Sequence, residues 1–139
     1  MSAFRFIPHT ADVRLQVAGN SVEDLFRSAL LGMAFLQKRD FCIGQKGIFS
    51  RQDDLKLKAV DLTVLLIDFL SEVLTLSQIN KTVYCDVKFK HLTETTLTAI
   101  ISGSQPDYFD EEIKAVTYHE AEIKHNAKKE LETTIVFDI

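Results

Sequence analysis

Cysteine is scarce in this chain: Cys42 and Cys85 are the only two, far apart and in no C-x-x-C pair. Both read as reduced thiols, which excludes a disulfide framework and points to a cytoplasmic protein. Positive charge is not in surplus either, with 16 Lys and Arg against 20 Asp and Glu and a net charge of −4. Strong sequence-independent binding to nucleic acid requires Lys and Arg to neutralise several phosphates, so bulk charge gives it no support and only a local patch could provide it. No apolar run approaches the roughly 18 residues of a membrane helix, and Asp61 and Asp68 interrupt the longest. The opening MSAFRF lacks the basic start and long apolar core of a signal peptide. These absences leave a protein partner or a small site as the expectation, with no membrane involved.

The common catalytic and phosphate-binding motifs are missing as well. There is no G-x-G-x-x-G, no G-x-x-x-x-G-K-[ST], no G-x-S-x-G elbow and no H-E-x-x-H helix. His9, His91, His119 and His125 are scattered, without the close Cys/His spacing of zinc sites. A Cys–His pair meeting only in space is left open, with structural cysteines the simpler reading.

What is present is ordinary globular material: 46% hydrophobic and 26% charged residues in 139, enough for one domain over 1–139. Two helices stand out. Ser21 suits an N-cap, with Asp24 at the capping-box position, and an apolar stripe runs from Val22 through Leu25, Phe26, Ala29, Leu30 and Met33. A second helix starts near Asp61 and carries Leu62, Leu65, Leu66, Phe69, Leu70, Val73 and Leu74. Val64 and Ile67 widen its apolar surface, so it should be covered on more than one side. Period-two alternation marks Leu55–Val60, Cys85–Phe89 and the run from Leu97, while Phe4–Ile7, the residues after Asp12, Ala115–Ile123 and Thr133 to Ile139 also read as strands. His91–Thr95 and Lys124–Glu130 should turn hairpins, and Ser102–Glu112, with Gly, Pro and acids, should be an exposed loop. Strands outnumber helices and short turns join the last four, which predicts an α+β class: a mostly antiparallel sheet with two packed helices.

Two carboxylates then ask for an explanation. Asp12 sits in a short polar break, HTADV, between two strand-like runs, and could simply cap a turn. Asp138 is next to last in TTIVFDI, where a solvated strand end would be the plain reading. Taken with SVEDLFRSAL (Ser21–Leu30), DLTVLLIDFLSEVL (Asp61–Leu74) and IKAVTYH (Ile113–His119), HTADV and FDI match a family: from end to end the chain resembles archease.

That resemblance implies an accessory partner of RtcB-type RNA ligases, which join a 2′,3′-cyclic phosphate or 3′-phosphate RNA end to a 5′-hydroxyl, as in tRNA splicing and RNA repair. It implies promotion of ligase guanylylation and multiple turnover, no catalytic residues of its own, and a strand–helix–strand–strand module with a second such module inserted. It also implies a divalent-metal site, Ca²⁺ foremost with Mg²⁺ or Mn²⁺ as alternatives, held by Asp12, Asp138 and Ile139, with His9, Thr10 and His119 in support. Elementary electrostatics agrees: two carboxylates about 4 Å apart repel by roughly 4 kcal/mol at an effective dielectric near 20, and a hard cation relieves this. If Ile139 binds through its own carboxylate or carbonyl, extension beyond it should not be tolerated. Lys114 has two readings: a solvated strand lysine pairing with Glu111 or Glu112 for at most about 1 kcal/mol, or a point charge for a phosphate of the ligase-bound nucleotide. The resemblance falters at QPDYFDEE before IKAVTYH, where basic or histidine residues are expected. Two other functions compete: a chaperone-like modulator of nucleic-acid enzymes, and a metal-dependent phosphoesterase, against which stands the lack of a nucleophile or base with a partner. Direct contact with RNA is left open.

Overall fold

A computed structural model describes residues 2–7 and 12–139; His9 and Thr10, expected to support the site, lie outside the described residues. Both helix starts follow from their caps. Ser21 accepts the Asp24 amide at 3.1 Å to open α1 (Val22–Gln37), and Asp61 accepts the Val64 amide at 2.9 Å to open α3 (Leu62–Asn80). A third helix, the single turn α2 (Phe41–Gly44), had no sequence signal because it is too short to show a period.

Among the described residues eight strands form two sheets, and every pairing is antiparallel. The first sheet runs β1 (Ala3–Ile7), β2 (Val13–Gly19), β8 (Leu131–Asp138), β6 (Ala115–Thr117), with β7 (Lys124–His125) also paired to β8. The second runs β3 (Arg51–Lys58), β5 (Thr96–Ser104), β4 (Val83–Leu92). The unit β3–α3–β4–β5 is therefore a strand–helix–strand–strand module inserted between α1 and β6 of an outer one. The expected α+β class holds, with two sheets where one was anticipated.

The core fills the space between the sheets and helices. Leu15 and Val17 of β2 and Ile135 and Phe137 of β8 are buried with Leu25, Phe26 and Leu30 of α1 and Leu65, Phe69 and Leu70 of α3. Leu97, Ala99 and Ile101 of β5 complete the same cluster. Phe26, Phe69 and Phe89 stack as a triad with centroids 5.6 to 6.2 Å apart. As its wide apolar surface foretold, α3 buries residues around most of its circumference, Ile67 included. Its 19 residues and mean hydropathy of 1.6 match a membrane span in length and composition, more than the sequence reading allowed. Here those side chains serve the core.

Three expectations are corrected. Cys42 of α2 and Cys85 of β4 are joined in a disulfide, with Cα atoms 5.4 Å apart. Sequence distance concealed this, because α2 folds back on β4 beside Ala34, Phe41 and Phe49. The inference of a reducing compartment loses its ground. Ala115–Ile123 is not one strand: β6 stops at Thr117, where the chain turns with the Ala121 amide on the Tyr118 carbonyl at 3.1 Å and Glu120 at φ +64°. Lys124 and His125 belong to β7, so the last turn narrows to Asn126–Glu130, whose Asn126 Oδ1 accepts the Lys128 and Glu130 amides.

Candidate functional site

The middle of the first sheet is β2–β8–β6, and its register decides where the chain's distant carboxylates meet. Val13 is paired with Phe137. Asp12 comes immediately before that pair and Asp138 immediately after it, at one end of two strands whose paired residues stand about 5 Å apart. On the other side of β8, Ala115 pairs with Asp138, and the Lys114 amide donates to the Asp138 carbonyl at 2.7 Å. The fold thus gathers Asp138, Ile139 and Lys114 at one sheet end with Asp12, which is more than 100 positions from each of them in the chain.

Each has a distinct setting. Asp12 is half-buried and lines an open cleft of about 470 Å³. Asp138 is exposed, and Ile139 is half-buried against the core. Lys114 is exposed, and an ion pair with Glu111 or Glu112, one of its two readings, is not among the pairs of the described residues. His119 is exposed in the turn after β6, its amide on Thr117 Oγ1 at 3.3 Å and its Nε2 3.9 Å from Glu120. Neighbouring Tyr118 donates its hydroxyl to Asp68 of α3, fastening that turn to the helix. Glu120 also pairs with Arg14.

The cleft beside Asp12 has features that local sequence could not reveal. Its apolar wall is Phe6, Phe35 and Leu36, and its polar rim is Asp12, Arg39, Asp110 and Glu111. The stretch Ser102–Glu112 is not simply an exposed loop. β5 continues through a buried Ser104, and the loop then docks on the end of α1, where the Asp110 amide donates to the Gln37 carbonyl at 2.8 Å. The Asp110 carboxylate accepts the Arg39 amide at 3.0 Å and the Lys38 ammonium at 3.3 Å. The Arg39 amide above all, then Lys38, holds this carboxyl below its ordinary range despite some desolvation. Lys38 in turn lies 3.3 Å from the centroid of the Tyr108 ring. Below, Gln37 Nε2 donates to Ser77 Oγ at 2.9 Å, tying α1 to α3, and Gln78 Nε2 of α3 donates to the Ile113 carbonyl at 2.9 Å, anchoring the segment that delivers Lys114.

The donor set suits a hard cation. Asp12 and Asp138 offer carboxylate oxygens and Ile139 main-chain oxygen, with no sulfur or imidazole. Among the described residues no three His, Cys, Asp or Glu side chains form a metal-holding group. Such a site would therefore rest on two side chains and the main chain, and would leave coordination positions for water or a partner.

Comparison with known proteins agrees with this architecture. The model of the archease protein family (MTH1598/TM1083) matches residues 4–139. Protein archease of Methanosarcina barkeri is 32% identical over 133 residues, covering 89% of this chain and 88% of that protein. Protein archease of Thermococcus gammatolerans is 30% identical, with 89% of each covered. In fold, the chain is similar to the solution structure of Methanobacterium thermoautotrophicum protein 1598, with a TM-score of 0.74, 22% identity and 98% of each chain covered. It is similar also to a Thermotoga maritima archease described as a possible chaperone, with a TM-score of 0.64, 19% identity, and 96% and 94% covered. The chain belongs to the archease family.

Proposed function

We propose that this chain is an accessory protein of an RtcB-type RNA ligase, promoting guanylylation and repeated turnover of the ligase in tRNA splicing or RNA repair. The observation that carries the reading is the register of β2, β8 and β6, which sets Asp12, Asp138–Ile139 and Lys114 at one end of the sheet. In this reading Asp12, Asp138 and the main chain of Ile139 hold a divalent cation, Ca²⁺ first among the hard ions. The cation offsets their mutual repulsion and, when bound, supplies a positive centre for phosphate oxygens. Lys114, just before β6 with its amide on the Asp138 carbonyl, adds a point charge for the same phosphates.

The test combines function with ion uptake. Added in trace amounts to such a ligase with GTP and divalent metal, the chain should raise ligase guanylylation and convert single-turnover joining to multiple turnover. Asp12→Asn and Asp138→Asn should each abolish this and weaken Ca²⁺ uptake by calorimetry at least tenfold, with unchanged circular dichroism. Full stimulation by both variants would remove the cation from the mechanism, and ligation unaffected by the wild type would remove the ligase.

One observation favours a second reading, a chaperone-like modulator: the similar Thermotoga maritima protein is described as a possible chaperone. Protection of unrelated clients from aggregation, equally by the wild type and Asp12→Asn, would establish it.

A further inference from the structure

The inserted module presents a face that the sheet-end site does not use. Along β3 the core side is Leu55 and Leu57, so Lys56 and Lys58 stand together on the outer side, about 7 Å apart. Register carries them across β5, Lys56 opposite Thr98 and Lys58 opposite Thr96, while Lys88 of β4 lies opposite Ile100 on the same face. All three lysines are exposed, as is Lys90.

A β-bulge enlarges this face. Val87 and Phe89 of β4 point to the core, and strict alternation would send residue 91 there too. One extra residue between Phe89 and His91 shifts the register, pairs His91 with the outward Thr98, and leaves both Lys90 and His91 exposed. Thr96 Oγ1 lies 2.9 Å from His91 Nε2. None of the four lysines forms an ion pair among the described residues. The acids nearby are Asp54, Asp86 and Glu94, and Asp86 lies 3.9 Å from Arg27 of α1. Four lysines against these three acids, of which Asp54 shares the Ile100 row with Lys88 and Asp86 is partly offset by Arg27, leave the face net positive in a chain whose net charge is −4. Edge-strand lysines also keep sheets from pairing edge to edge. Any scatter of charge meets that need, whereas here a bulge turns His91 outward beside Lys90 on the same face.

We propose that this outer face of the β3–β5–β4 sheet docks the phosphate backbone of duplex RNA. The basis is four ammonium groups on one sheet face with hydroxyls of Thr96 and Thr98 between them. Among the described residues no Phe, Tyr or Trp ring stands on this face for single-stranded bases to stack on: Phe89 is turned inward against Phe26 and Phe69, Tyr84 is buried, and His91, the one ring there, has its Nε2 against Thr96 Oγ1. Contact is through phosphates alone, without sequence preference. The choice of RNA rests on the proposed function; the polyanion chemistry does not.

A labelled RNA duplex of about 20 base pairs, titrated with the full chain and followed by anisotropy, tests this without any ligase. Four neutralised phosphates give a slope of about −3.6 in log Kobs against log salt, so a fourfold rise in KCl should weaken binding roughly 100-fold. Lys56→Gln/Lys58→Gln and Lys88→Gln/Lys90→Gln should each roughly halve the slope, while Lys124→Gln/Lys128→Gln, in β7 and the turn after it, leaves it unchanged. Melting temperatures confirm that each variant is folded. No binding at the lowest salt, equal loss in the control pair, tighter binding of single-stranded RNA, or equal competition by polyglutamate would each overturn the proposal. Failure here leaves ligase stimulation intact, and failure of ligase stimulation leaves this binding intact.

Discussion

Tyr84 illustrates how one residue couples chain segments that look unrelated in sequence. It is buried, and its hydroxyl donates to Asp53 Oδ2 while accepting Asn80 Nδ2 at 3.0 Å. Arg51 grips the same carboxylate with bonds of 2.9 and 3.1 Å. Burial raises the Asp53 pKa, but Arg51 and then Tyr84 outweigh it and bring it below 3.8. The carboxylate therefore contributes stability that is complete above the unfolded value and lost as pH falls through about 4 and lower. Burial first, and Asp53 next, raises the Tyr84 pKa above 10.0, so its contribution is complete below pH 10 and lost as pH rises beyond it. Tyr84→Phe should cost about 1–3 kcal/mol at neutral pH. It should also shrink the acid limb and the alkaline one, to which Tyr118 on Asp68 still contributes, read from urea midpoints across pH; limbs identical to the wild type would refute the coupling. This network was not legible beforehand. Arg51–Asp54 has no apolar alternation, so β3 was expected to start only at Leu55, and pairing with β5 is what extends it to Arg51.

At the scale of elements, legibility followed the reach of the signal. Caps act over three residues, and both Ser21 and Asp61 are N-caps as their sequence contexts indicated. Where a β-like run met a turn made by backbone geometry, as at Glu120 with φ +64°, composition alone missed the break. Gly103 is a further case in which the constraint comes from another strand. A Cβ there would lie 2.2 Å from the Val83 carbonyl oxygen and 2.7 Å from the Tyr84 Cα, and neither backbone atom can yield cheaply. Ser21→Ala should remove about 1 kcal/mol, the ordinary loss of an N-cap. Gly103→Ala should cost more, up to about 3 kcal/mol, by pushing β4 away from β5. Thermal melts of the two variants decide the order; a Gly103→Ala protein as stable as the wild type would mean that β4 shifts freely.

For the whole molecule, the candidate site was legible only through likeness: HTADV and FDI named the carboxylates, but nothing local to either says that β2 and β8 lie side by side. The cleft rim at Arg39 and Asp110 was invisible for the same reason, since its partners are brought together by docking of a loop on α1. The disulfide is the most global of these hidden links. Cys42 belongs to the outer module's connection and Cys85 to the inserted module, so their bond closes a 43-residue loop that contains β3 and α3. In the chain-entropy description a loop of that length removes about 4 kcal/mol of unfolded-state freedom, and measured effects of 2–4 kcal/mol are common. Reduction should therefore lower stability by about that amount and loosen α2 from β4 first, because that corner is otherwise held by the small cluster of Ala34, Val83, Phe41, Phe49 and Phe109. Urea unfolding with and without dithiothreitol reads the difference. The Cys42→Ser/Cys85→Ser variant should unfold at the reduced protein's midpoint and ignore the reductant; equal midpoints for all three would show that the bond adds nothing to the fold.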